Sequence, residues 1–322
     1  PPHRFHQRMS EQPGRSCPIH YRYQPERLCR DPEPVKADVL YVIGGLYGNP
    51  LALDAIDAMA ASEQALGRRV KLLFNGDFNW FNADEDAFVD VNNRVLAHDI
   101  IQGNVEYELA NPSPDAGCGC AYPDFVDNGT VERSNRIITR LQAIASRHPD
   151  IQASLRAAPR WRCLSFGGET LLILHGDPES LAGWGLASEN LSRPSHQHQL
   201  HQWFAQTGAT LMACTHTCLP ALWQRHDTLL SQTIINNGSA GMGNLHADPR
   251  GLITRVSTIP ADTALASVRQ GDLEVSLVPV AFDAQAWVAR FDQCWPTGSD
   301  AAISYRQRIL KGTKLTVADI RL

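Results

Sequence analysis

Val39-Leu40-Tyr41-Val42-Ile43-Gly44-Gly45-Leu46-Tyr47-Gly48-Asn49, followed at once by Pro50, decides how this chain reads. Five apolar residues, mostly β-branched or aromatic, describe a buried strand. The glycines behind them allow a tight turn, and Pro50 suits the first position of a helix. A strand that feeds a glycine-rich loop and then a helix is the unit of an α/β sheet. In such sheets ligands bind at the carboxyl ends of the strands.

The same alternation continues outward. Leu53, Ile56, Met59 and Ala60 fall at helical spacing up to Leu66, and Gly67 is a natural stop. A short strand over 70–74 runs into Asn75-Gly76-Asp77. A helix is predicted over 84–98 with Asp84 as its N-cap, then Ile100-Ile101 leads to Gly103-Asn104-Val105-Glu106. Residues 111–130, rich in Pro, Gly, Asp and Cys, form a loop too long for a simple connection, and read as an insertion. Helices follow near 131–147 and 150–157, then a hairpin over 161–174 around Gly167-Gly168, and a helix near 200–206. Strands are predicted at 210–214, on either side of Arg225-His226-Asp227, and at 252–256 and 273–280; helices at 283–295 and 301–310 close the chain. Residues 1–37 are rich in Pro, Arg and Tyr and show no period. They read as an irregular arm ahead of a single domain over 38–322. Asp31-Pro32-Glu33-Pro34 marks the break, and Tyr21, Tyr23 and Leu28 offer anchors. His3, His6 and His20 read as isolated surface residues.

The totals exclude some classes. Of 322 residues, 43% are hydrophobic and 20% charged, enough to bury a large core. A net charge of −5 speaks against general nucleic-acid binding. No apolar run approaches the roughly 20 residues of a membrane span. Pro1-Pro2-His3-Arg4-Phe5 has no signal-peptide core, so a cytoplasmic protein is the expectation. The eight cysteines are scattered apart from Cys118-Gly119-Cys120 and the Cys214/Cys218 pair. They fit no two-half zinc pattern, and reduced thiols are expected.

Six polar loops follow strands in order: Gly-Gly-Leu-Tyr-Gly-Asn (44–49), Gly-Asp (76–77), Gly-Asn-Val-Glu (103–106), His-Gly-Asp (175–177), Thr-His-Thr-Cys-Leu-Pro (215–220) and Asn-Asn-Gly-Ser-Ala-Gly (236–241). Each alone is weak: Asp77 could cap a turn, and His175 or His216 could be a satisfied core histidine. Their order and spacing resemble the calcineurin-like metallophosphoesterases, in particular the small bacterial and archaeal phosphodiesterase branch. There the series runs D-x-H-G-N, G-D, G-N-[HCV]-[DE], H-G, G-H-T-H-x-P and N-P-G-S. The resemblance covers roughly residues 39–312 and leaves the arm outside.

That resemblance implies an α/β fold, a four-layer αββα sandwich of two mixed β-sheets flanked by helices. It also implies a two-metal site that clamps a phosphoryl group and activates water. Asp77 matches the bridging aspartate, Asn104 the amide ligand, His175 the next imidazole and His216 the first histidine of G-H-T-H. One metal position is thus complete. The other would use residues at 45, 47, 77 and 218, and here only Asp77 is retained beside Gly45, Tyr47 and Cys218. Cys218 and Tyr47 are additional ligand candidates, the thiol being softer than imidazole. Cys118 and Cys120 are candidates to swing in as thiolates. The general-acid histidine of many superfamily members is replaced by Val105, and Asn237 replaces a proline. Asn49, Gly238 and Ser239 are candidate phosphate binders through their loops. Arg133, Arg136 and Arg140 share a helical face, which is either solvated or turned toward an anion.

Two readings stay open. One is a weak or atypical metal-dependent phosphoesterase with a single divalent ion (Mn, Zn, Fe or Mg) or an altered site, acting on a small phosphorylated molecule or phosphodiester. The other is an inactive relative, with or without metal, that binds a phosphorylated ligand or a protein partner. A homodimer is expected only by resemblance.

Overall fold

Alternate residues of a strand face opposite ways, and the opening strand buries both of its faces. Val39, Tyr41 and Ile43 pack with Leu53 and Ile56 of the following helix, whereas Leu40 and Val42 pack with Leu171, Ile173 and Leu211 of a second sheet. A strand apolar on both sides must lie inside a layered fold, and the computed structural model has that architecture. It describes residues 12–227 and 229–322. His3 and His6 lie outside the described residues, as does the start of the arm.

Among the described residues the strands are β1 (Glu33–Pro34), β2 (Val39–Ile43), β3 (Val70–Phe74), β4 (Asp99–Ile100), β5 (Arg162–Phe166), β6 (Glu169–Ile173), β7 (Leu211–Cys214), β8 (Pro220–His226), β9 (Ser231–Asn237), β10 (Gly251–Ser257), β11 (Ala266–Gln270) and β12 (Leu273–Val280). The helices are α1 (Pro50–Ala65), α2 (Glu85–Val95), α3 (Asn104–Ala110), α4 (Asn128–Ala145), α5 (Pro149–Ala157), α6 (Ser188–Leu191), α7 (Gln197–Thr207), α8 (Ala284–Cys294), α9 (Asp300–Lys311) and α10 (Val317–Ile320). The strands form two six-stranded mixed sheets, ordered β11-β12-β10-β2-β3-β4 and β1-β5-β6-β7-β9-β8. One core lies between the sheets, with Leu40, Val42 and Val256 from the first meeting Leu164, Leu171 and Ile235 from the second. A second core joins the outer face of the first sheet to α1, α2, α4, α8 and α9. A third joins the outer face of the other sheet to Leu200, Trp203 and Phe204 of α7. The expected four-layer αββα sandwich is borne out. No helix among the described residues is long and apolar enough to cross a membrane.

Four details differ from the sequence reading. β11 was not foreseen, because Ala-Ser-Val-Arg-Gln is a short edge strand with little apolar signal. Glu33-Pro34, read as a break, pairs in parallel with β5. A proline is tolerated there because the strand lies at a sheet edge. The helix expected to reach His98 ends at Val95, and α4 begins at Asn128, capped by Asp127. Four of the cysteines are not free thiols: Cys29 is bonded to Cys163, and Cys118 to Cys120. Cys29 and Cys163 are 134 residues apart in sequence, yet their Cα atoms are brought to 5.2 Å by docking of the arm on β5.

Asn49 ties the opening loop to its helix. Its Oδ1 accepts the N–H groups of Leu51 and Ala52, and its Nδ2 donates to the Gly241 carbonyl at 2.9 Å. Pro50 follows at the first helical position. The side chain is fully buried and spent on backbone groups. Asn49→Ala should therefore cost about 2 kcal/mol of stability, read from the urea unfolding midpoint. An unchanged midpoint would overturn this capping role.

Candidate metal centre

The four residues expected at the complete metal position sit at the carboxyl ends of neighbouring strands. Asp77 follows β3, Asn104 opens α3 after β4, His175 follows β6 and His216 follows β7. Asp77 has a left-handed backbone (φ 55°). Glu106 holds it there: Oε1 accepts the Asp77 and Gly103 N–H groups, and Oε2 that of Phe78. Burial, and then the adjacent Asp77 charge, push the Glu106 carboxyl up to about 7. A Cβ at Gly103 would overlap the Asp77 carboxylate, so only glycine fits beside it.

All four side chains converge on one atom. His175 Nε2 lies 3.0 Å from Asn104 Oδ1, 3.1 Å from His216 Nδ1 and 3.2 Å from Asp77 Oδ2. The opposite nitrogens settle the tautomers. His175 Nδ1–H donates to the Asn75 carbonyl at 2.9 Å, and His216 Nε2–H donates to the Cys120 carbonyl at 2.9 Å. Asn104 Nδ2 donates to the Cys118 carbonyl at 2.9 Å, which turns its Oδ1 inward. Asp77 Oδ1 accepts the Val105 N–H, leaving Oδ2 toward the histidines. The centre of the cluster is therefore ringed by lone pairs, two from nitrogen and two from oxygen. Ligands held about 2.0–2.2 Å from a common ion lie roughly 3.0–3.5 Å from one another. The three spacings to His175 Nε2 fall in that range, and the donor set suits a divalent ion. Asp77, His175 and His216 also stand out as a group whose ligand atoms all lie within 4.8 Å of one another.

Electrostatics point the same way. Burial lowers the His175 pKa, but the Asp77 carboxylate outweighs it and the net shift is upward. Burial would raise Asp77, yet His175 holds the carboxyl below its usual range. Burial and then His175 push His216 down to about 4. One proton, on His175 against Asp77, is what the cluster takes up when no cation is present.

At the second position that the resemblance implied, no ligand set converges among the described residues. Tyr47 and Cys218 are hydrogen-bonded to each other. Burial above all raises both pKa values, so both are neutral near pH 7. Tyr47 (φ 52°), Asp77 and Cys218 (φ 63°) are three of the five non-glycine residues with positive φ among those described, each costing about 1–3 kcal/mol. Backbone strain thus collects at this site.

Other expectations fare differently. Gly238 and Ser239 present no open anion cradle: their N–H groups donate to Asn236 Oδ1 and Asn244 Oδ1, and Ser239 Oγ donates to the Gly45 carbonyl. Arg133, Arg136 and Arg140 do not reach the site; they bind Ser304, Asp300 and the Cys294 carbonyl, pinning α4 to the closing helices. Cys118 and Cys120 do come to the site, but as backbone carbonyls of a bonded pair rather than as thiolates. Sequence reading missed those carbonyls, since any residue supplies one. It also missed the aromatic wall of a cavity of about 240 Å³ over the cluster, lined by Tyr47, Trp80, Tyr122, Trp184 and Tyr305. These residues come from separate loops and a helix and share no period.

No protein-family model and no curated protein matches the sequence. The fold does match solved structures. A hypothetical protein from Pyrococcus horikoshii OT3 is 14% identical, with 86% of this chain and 99% of that chain covered at a TM-score of 0.59. A metallophosphoesterase from Sphaerobacter thermophilus is 15% identical, with 79% and 93% covered at a TM-score of 0.50. At these identities the likeness is one of fold, and it places the chain in the metallophosphoesterase-like architecture that the six loops had implied.

Because Tyr47 is neutral and already bonded to Cys218, Tyr47→Phe should leave manganese affinity within about twofold while costing about 1 kcal/mol of stability. A tenfold loss of affinity in calorimetry would instead make Tyr47 a ligand.

Proposed function

We propose that this chain is a phosphoester hydrolase working with one divalent metal ion, held by Asp77, Asn104, His175 and His216. The observation that carries the reading is the convergence of four acceptor atoms with every orienting proton turned outward. Neutral donors facing one another at about 3 Å repel unless a cation or a proton sits among them. The fold shared with a metallophosphoesterase supports the same reading.

A divalent ion at this position would polarise a phosphoryl oxygen and make a bound water more acidic. The chain's own groups do the rest. Asp77 supplies the one carboxylate charge. The Asn75 and Cys120 carbonyls fix the tautomer and orientation of both imidazoles, as outer hydrogen-bond partners do in metal sites. In hydrolysis the water oxygen forms a new bond to phosphorus, and the ester oxygen leaves with its bonding electrons. Tyr47 and Cys218 close the position from which a second cation would stabilise that departing oxygen, so turnover should be slow for a two-metal fold. Two imidazoles favour zinc or iron over magnesium, and the carboxylate and amide oxygens also suit manganese.

Three measurements test this. Dialysed protein titrated with Mn²⁺ should bind one ion per chain, and Asp77→Asn should weaken binding at least tenfold and abolish turnover of bis(p-nitrophenyl) phosphate. No binding of Mn²⁺, Zn²⁺ or Fe²⁺ would sink the proposal. The pH dependence has a defined sign. His175 holds its proton above the ordinary histidine range, so metal uptake must displace it. Affinity should fall as pH drops through neutrality, with about one proton released per ion, read by calorimetry in buffers of different ionisation enthalpy. The second reading, an inactive binding protein, is favoured by the Tyr47–Cys218 closure. It predicts no diester turnover under any of these ions, whether or not one is bound.

A further inference from the structure

The cavity above the metal centre has a composition that the chain as a whole lacks. Aromatic residues are 7% of the sequence, yet five of the fifteen residues lining this cavity are Tyr or Trp. Trp184 is fixed by its Nε1–H, which donates at 3.0 Å to the Cys120 carbonyl. That carbonyl also orients His216, and the indole stands edge-on to the His216 ring with centroids 5.4 Å apart. Tyr122 lies 6.1 Å from Trp184, and Trp80 lies 6.3 Å from Tyr305. The aromatic wall is therefore built against the ligand cluster itself. Asp77, Asn104 and His216 form the polar floor of the same cavity.

Two further properties narrow what this space accepts. None of the lining residues is Lys or Arg, so charge beyond that of one phosphoryl group would have no side-chain partner. Apart from the candidate ligands, the ionisable lining groups are phenols and the Cys218 thiol. A phenol, with an ordinary pKa of about 10, is a poor general acid near neutrality. A leaving alkoxide would thus receive little help, whereas an aryloxide leaves as the anion without it. Size agrees: an apolar cavity of roughly 150 Å³ holds a benzene ring, so about 240 Å³ takes one ring beside a phosphoryl group.

We propose that the cavity selects phosphodiesters whose departing oxygen is carried by an uncharged aromatic ring, with Trp184 as the residue that sets this selectivity. The assignment rests on the hydrolase reading above. Water oxygen bonds to phosphorus, the aryl-oxygen bond to phosphorus breaks, the aryloxide takes the electron pair, and the water's proton passes to solvent.

The test is calorimetry on the manganese-loaded protein with diphenyl phosphate and diethyl phosphate, which carry the same charge and differ in their rings. Diphenyl phosphate should bind about 10-fold tighter or more, and Trp184→Leu should bring the ratio close to one. Equal affinities in the unaltered protein would overturn the selectivity while leaving manganese binding and diester turnover intact. A ratio undiminished in a folded, manganese-loaded Trp184→Leu protein would overturn the role of Trp184. Failure to bind manganese at all would sink the hydrolase reading and this one with it. Should the variant not fold, the two-ligand comparison on the unaltered protein decides alone.

Discussion

The site depends on where two protons sit. The Asn75 and Cys120 carbonyls hold the protons of His175 and His216 on the outer side of each ring. If either ring were reversed, a donor would face the cluster and the histidines could satisfy each other as in an ordinary core. With both rings held this way, acceptor atoms of His216, Asn104 and Asp77 face His175 Nε2. The loops after β3, β4, β6 and β7 supply that arrangement. Glu106, buried at the start of α3, fixes the Asp77 backbone, and Gly103 leaves room for its carboxylate.

The three departures at the neighbouring metal position form one consistent packing solution. A Cβ at Gly45 would lie 3.2 Å from Tyr47 Cζ, tighter than an ordinary contact. A side chain at 45 would press on the tyrosine ring, and the positive φ of Gly45 (65°) disfavours one in any case. Tyr47 packs edge-on against Phe81, with centroids 5.6 Å apart, and its hydroxyl meets Cys218. An aspartate and two histidines have been exchanged, relative to the expected pattern, for a glycine, a phenol and a thiol that satisfy one another without an ion. The cluster around His175 differs: its inward-facing atoms are acceptors, and what relieves them without an ion is the proton that His175 takes against Asp77.

Much of this was legible in the sequence, for physical reasons that can be named. Val39–Ile43 announces a doubly buried strand because both of its faces are apolar. Asn49-Pro50 announces a helix start, although the side chain read as a phosphate ligand proves to be the cap itself. Asp77, Asn104, His175 and His216 were singled out because the order and spacing of their loops resemble a known series, and the fold brings the four together. What orients them was invisible: backbone carbonyls carry no sequence signature, and the Cys29–Cys163 pairing joins segments that only the folded arm brings together. Trp184 hides in a polar, aperiodic stretch, and its importance appears only once Cys120 and His216 are beside it.

The arm and the 111–127 loop, both outside the familiar core, turn out to be one piece of masonry. Gly14 and Ala116 exchange a backbone hydrogen bond, as do Tyr122 and Gly14, while the Arg15 guanidinium reaches the carbonyls of Pro123 and Val126. Tyr21 is fully buried, donates to Glu108 and accepts the Leu181 N–H through its carbonyl. It also packs with Ala121, and so braces both loops that reach over the cluster, the one carrying Tyr122 and the one carrying Trp184. The segment that looks most like a tail thus supports the wall of the cavity from behind and adds an edge strand to one sheet.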